Sequence, residues 1–122
     1  MRRLSIIILF LVAGLSVSAL PYDEAHRRAL FISDKMAYEL NLSSPQYDAV
    51  YQINLDYLLM VGRRADVHGR WWDQRNYELQ QILSPGQYDL YMRTNYFYRP
   101  IRWSNGGWHY GVYSRYRDAR HF

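Results

Sequence analysis

The chain has 122 residues, with 15 basic and 11 acidic side chains, a formal net charge of +4 and no cysteine. That length suits one domain, and the lack of cysteine excludes disulfides and thiolate metal sites. The basic residues form no dense run, so nucleic acid is not expected as a partner.

The first nineteen residues read as a leader. Arg2 and Arg3 make a basic start, residues 4–15 are almost wholly apolar, and Val17, Ser18 and Ala19 are the small residues that precede a cleavage point. The apolar run falls short of the roughly 20 residues that span a bilayer. A signal peptide over 1–19, cut near Ala19, is therefore expected, with a periplasmic or secreted product and no transmembrane anchor after cleavage. Loss of Arg2 and Arg3 lowers the basic count from 15 to 13 and the net charge from +4 to +2. The remaining cations are twelve arginines and Lys35, set among 13 tyrosines and four tryptophans. Guanidinium groups stack on rings and fork onto carboxylates, which suits adhesive contact.

Helical spacing dominates residues 20–100. Pro21, followed by Asp23 and Glu24, opens a helix over Tyr22–Leu40 whose apolar set is Ala25, Ala29, Ile32, Met36 and Leu40. A second helix starts at Ser44 and carries Tyr47, Val50, Ile53, Tyr57 and Met60, flanked by Leu58 and Val61, as an inward stripe. Turn residues at 65–69 end or bend it. The helical period resumes over 70–83 with Trp72, Arg75, Leu79 and Ile82. A fourth helix is expected from Ser84 to about Phe97, stopped by Pro100.

Two of these helices begin with the same phrase. LSSPQYD at residues 42–48 returns as LSPGQYD at 83–89. Ser43 with Gln46, and Ser84 with Gln87, have the spacing of a capping box, and Leu42 with Tyr47, and Leu83 with Tyr88, that of a hydrophobic staple. Pro45 and Pro85 fall in the first turn, where a missing N–H costs nothing. The repeat therefore marks two corners of one helical domain.

The tail, residues 101–122, alternates large apolar and polar residues around Asn105 and Gly106, a signal for a tight type I′ turn. A two-stranded ribbon is expected, with Trp103 opposite Trp108 and Ile101 opposite Tyr110. Such a ribbon is marginal alone, so its aromatic face must lie on the helices, on a partner or on a ligand. Residues 116–122 look frayed. The fold class is thus all-α, a small bundle of about four helices with a C-terminal β-hairpin.

The doubled L-S-x-x-Q resembles the LTxxQ motif of the periplasmic Spy/CpxP family, with serine in place of threonine. The resemblance spans residues 29–97, and the aromatic C-terminus is similar to small envelope proteins of Bacteroidetes-type bacteria. It implies an exported helical protein, chaperone-like or part of an envelope stress response, and extends to metal-responsive relatives.

Three chemistries compete for these residues. Noncovalent binding of unfolded or envelope proteins draws on Arg63, Arg64, Arg70, Trp71, Arg75, Arg93 and Arg99, where apolar contact supplies affinity and arginine supplies attraction and stacking. The aromatic tail offers a second route, to a glycan or other envelope component, and a homodimer is a further way to cover apolar surface. Metal binding is weakly signalled: His26, His68, His109 and His121 show no i, i+4 pair, although Asp66 stands two places before His68. Ser104, His109 and Asp118 lack a nucleophile elbow, and no phosphate-binding glycine loop appears. The expectation is a binding protein without cofactor or catalytic site.

Overall fold

The protein was analysed as a computed structural model, which describes residues 20–117. The expected leader over 1–19 lies outside the described residues, as do Asp118 and His121. Helix α1 (Tyr22–Leu40) follows Pro21 at its N-cap and carries Asp23 and Glu24 where the helix dipole favours anions. It ends at Asn41, which adopts the left-handed conformation (φ 58°, ψ 55°) that asparagine tolerates better than most residues. All five expected apolar positions of α1 are buried, and so is Ser33.

Helix α2 (Ser44–Met60) packs against α1 on one side and against α3 (Arg70–Ile82) on the other. Val50, Ile53, Tyr57, Leu58 and Val61 are buried as their spacing predicts. Met60 differs: at the last turn of α2 it is 43% exposed and borders an open groove instead of the core. Tyr47 is half-buried and donates its hydroxyl to Asp34 Oδ1 at 2.6 Å. Between α2 and α3 a single 3-10 turn (Arg64–Asp66) is closed by Asp66, whose Oδ2 accepts the N–H groups of Gly62 and Arg63 at 2.9 Å each. Gly69 is required in this loop, since a Cβ there would stand 2.9 Å from the Ala65 carbonyl oxygen.

Helix α4 (Pro85–Arg93) stops earlier than its sequence suggests. Thr94 leaves helical geometry (φ −103°, ψ 95°) and bonds its hydroxyl back to the Leu90 carbonyl at 2.7 Å, a local competition for helix bonds that threonine makes readily. A one-turn helix α5 (Asn95–Tyr98) follows, and the break lets Phe97 be wholly buried. Strands β1 (Ile101–Ser104) and β2 (Gly107–Tyr110) pair antiparallel with Ile101 opposite Tyr110 and Trp103 opposite Trp108. Asn105 (φ 50°) and Gly106 (φ 77°) supply the positive φ angles that the type I′ turn needs.

Of the residues 116–122 expected to fray, only Tyr116 and Arg117 are described, and Tyr116 is held against α1, next to a short helix. Gly111–Arg115 forms a short helix, α6, with Val112 buried. Tyr113 stacks on Phe31 of α1 at 4.4 Å, and the Tyr116 hydroxyl donates to the Glu39 carboxylate. The hairpin and α6 thus close the core, with Ile101 and Val112 only 1% and 2% exposed. No helix among the described residues is long and apolar enough to cross a membrane.

Both capping boxes form. Ser43 Oγ accepts the Gln46 N–H at 3.2 Å while Gln46 Oε1 accepts the Ser43 N–H at 2.9 Å, and Ser84 and Gln87 repeat this at 3.1 and 2.9 Å. Each glutamine then crosses to the other corner. Gln46 Nε2 donates to the Ile82 carbonyl at 3.1 Å, and Gln87 Nε2 to that of Leu40 at 3.1 Å. The accepting carbonyls are orphans of the last turns of α3 and α1.

Candidate functional site

Arg75 lies at the centre of the bundle and not on its surface. It sits at the same helical period as Trp72, Leu79 and Ile82, and its position on the face of α3 that meets α2 leaves it 2% exposed. Its Nε donates to Asn54 Oδ1 at 2.9 Å and its Nη1 to the Tyr91 hydroxyl at 2.8 Å. Asn54 passes the chain on through Nδ2 to Ser33 Oγ at 2.9 Å, and Tyr91 passes it on to Asn76 Oδ1 at 2.5 Å. The guanidinium also faces the rings of Tyr57 and Tyr91 at 5.2 and 5.5 Å. No carboxylate pairs with it among the described residues, and its Nη2 has no hydrogen-bond partner.

A guanidinium cannot shed its charge in a protein, so hydroxyl and amide dipoles and ring faces carry the whole compensation. Burial pushes the Tyr91 hydroxyl up to about 12, with Arg75 pulling the other way, and burial raises Tyr57 further still. Both phenols are therefore neutral near pH 7, and neither serves as a hidden counter-ion. Arg75 is a structural centre that the sequence placed on a binding surface in error, because side-chain type outweighed its helical spacing.

The exposed arginines follow a different pattern. Arg64 lies over Trp103 at 5.4 Å, Arg70 over Trp71 at 4.7 Å, and Arg99 over Trp72 and Tyr98 at 5.5 and 4.9 Å. Trp72 is itself fixed by its indole N–H, which donates to the Tyr98 carbonyl at 2.6 Å. His68 packs edge-on against Trp72 at 5.0 Å, and burial, with Arg99 second, lowers its pKa. Arg64 thus ties the loop after α2 to β1, Trp72 ties the start of α3 to the approach to β1, and Arg70 covers its neighbour Trp71 on α3; these pairs are the arginine–tryptophan layer. Arg63 is exposed on the same loop, whereas Arg93 is on α4 and pairs with Asp89 at 2.9 Å. Trp71 is half-buried and also walls an open groove with Met60, Asp56 and Glu78.

The remaining candidates take structural places. His26 is within 2.6 Å of the Tyr51 hydroxyl and stacks with Tyr22. His109 meets Ser104 through the backbone carbonyl at 3.0 Å and not through its hydroxyl. Asp66 is committed to the loop amides described above. Among the described residues no three metal-ligating side chains come together. Sequence reasoning missed the polar partners Ser33, Asn54 and Asn76; the one available signal was Asn54 inside the apolar stripe of α2. Comparison of the chain with family models, with curated proteins and with solved structures gives no match in any of the three.

Proposed function

We propose that the protein is an exported binding protein of the bacterial envelope that holds unfolded or partly folded polypeptides, chaperone-like, on its arginine–tryptophan layer. The observation that carries this reading is the pairing of Arg64, Arg70 and Arg99 with tryptophan faces instead of carboxylates. The ion pairs among the described residues use Arg27, Arg28 and Arg93. A guanidinium lying on a ring keeps its edge N–H groups for a partner's carbonyl or carboxylate. The adjoining tryptophan and methionine surface supplies apolar contact. Such a surface asks for no particular sequence, only for exposed backbone, acidic groups and apolar side chains. Export is supported by the leader-like residues 1–19, and the chaperone-like reading by the doubled L-S-x-x-Q phrase and its resemblance to the Spy/CpxP motif.

The test is light scattering of an unfolding client with an equimolar amount of the chain from Leu20 onward, at low and high salt. Suppression of aggregation is expected, weakened by salt because the attraction is screened. The triple variant Arg64→Gln, Arg70→Gln, Arg99→Gln should retain its helical circular dichroism and lose most of the suppression. A folded, soluble protein that leaves aggregation unchanged sinks the reading.

A further inference from the structure

We propose that the cleft between α1 and the hairpin–α6 unit binds a small polyvalent oxyanion, a molecule carrying two or more carboxylate or phosphate groups. This cleft, of about 420 Å³, shares no residue with the arginine–tryptophan layer. Its volume is within the roughly 300–1,000 Å³ of small-ligand sites. Arg28, Arg102 and Arg117 all line it, with His109 and Ser114, and among the described residues no carboxylate does.

The three arginines are not equivalent. Arg28 is already neutralised, its Nε 2.9 Å and its Nη2 2.7 Å from Glu24 Oε2. Arg102 makes only a long 3.4 Å contact to the Ser104 hydroxyl, and it stands directly across the ladder from His109. Arg102 and Arg117 both line the cleft without an ion pair among the described residues, which suits a ligand with at least two negative charges.

The aromatic lining decides the rest of the ligand. The Tyr110 ring is covered by Arg28 at 4.0 Å, and the Tyr113 ring is stacked on Phe31. Trp108 also lines the cleft and meets Trp103 edge-on at 4.9 Å, so the rings are engaged with other side chains, and charge and hydrogen bonding supply the main hold on the ligand. Arginine forks suit carboxylate and phosphate oxygens, and the Ser114 hydroxyl adds a donor on the α6 side.

The experiment is isothermal titration of the full chain with pyrophosphate, citrate and acetate at constant ionic strength, alongside flotation with phosphatidylglycerol and phosphatidylcholine vesicles. Pyrophosphate or citrate should bind at least about tenfold more tightly than acetate. Arg102→Gln with Arg117→Gln should reduce that binding by about tenfold or more, with circular dichroism unchanged, whereas Arg93→Gln should not alter it. Equal affinity for acetate, or binding retained by the double variant, overturns the proposal. Flotation with phosphatidylglycerol without uptake of either free anion overturns it in favour of a lipid surface.

Discussion

Gln46 and Gln87, 41 residues apart, hold one another: Gln46 Nε2 donates to Gln87 Oε1 at 2.7 Å, and Gln87 Nε2 returns a bond to Gln46 Oε1 at 3.2 Å. Each side chain also caps its own helix and closes the last turn of the helix before the other corner. The repeated phrase is thus a reciprocal clasp in which two helix-to-helix corners complete each other. Both glutamines are half-buried, so a bond left unmade there is only partly replaced by water.

Gln87→Glu separates the clasp from the cap. A glutamate at this position caps a helix as well as glutamine does, and its charge suits the helix N-terminus. It has no N–H to give to the Leu40 and Asn41 carbonyls or to Gln46. The expected result is a loss of about 1–2 kcal/mol in urea unfolding. Unchanged or raised stability would reduce the motif to a cap. Gln46→Glu should behave alike through the Ile82 carbonyl.

Arg75→Ala should destabilise by about 3–5 kcal/mol, since it opens a cavity and strands Asn54 Oδ1 and Tyr91. Arg75→Lys should not restore the loss, because an ammonium lacks the planar fork that reaches both partners. Client binding per folded molecule should be unchanged in whichever of these variants folds. A variant of normal stability that no longer binds client would return Arg75 to the binding surface.

Removal of the tail after Pro100 should lower stability by several kcal/mol, as burial of Ile101 and Val112 contributes about 1.5–3 kcal/mol each. The truncated chain should bind a hydrophobic dye that the full chain does not. An unchanged melting temperature would show that the hairpin and α6 are an appendage.

Alkali should unfold the protein through its tyrosines. Burial first, and the bond to Asp34 second, push Tyr47 up to about 12, and burial pushes Tyr91 to about 12. In the unfolded chain both titrate near ~10. The folded state therefore holds its phenolic protons more tightly, and this stabilisation is complete below about pH 10 and is lost as pH rises through about 12. Unfolding free energies measured across that window should fall, and Tyr91→Phe should flatten the fall. An identical slope in the variant would mean that Tyr91 ionises without opening the core.

The limits of sequence reading follow from how far each signal reaches along the chain. Apolar spacing, the serine–glutamine boxes and the Asn105–Gly106 turn are local, and α1, the start of α2 and the hairpin register were legible from them. The early stop of α4 was not, because Thr94 competes through a single side-chain bond that spacing does not reveal. The surface arginines were named individually, but the place of Arg64 on Trp103 depends on the hairpin's return to the loop after α2, and that of Arg99 on Trp72 on the approach to β1 passing the start of α3.

By itself, the sequence determined the helical periods, the two capped corners and the turn, since each depends on residues within a few positions of one another. Only the tertiary structure decided that the corners clasp, that Arg75 is interior and that Arg64 and Arg99 lie on Trp103 and Trp72. Each of those contacts joins residues far apart in the chain, and a side chain's partner there is set by packing and by the need to satisfy every buried polar group.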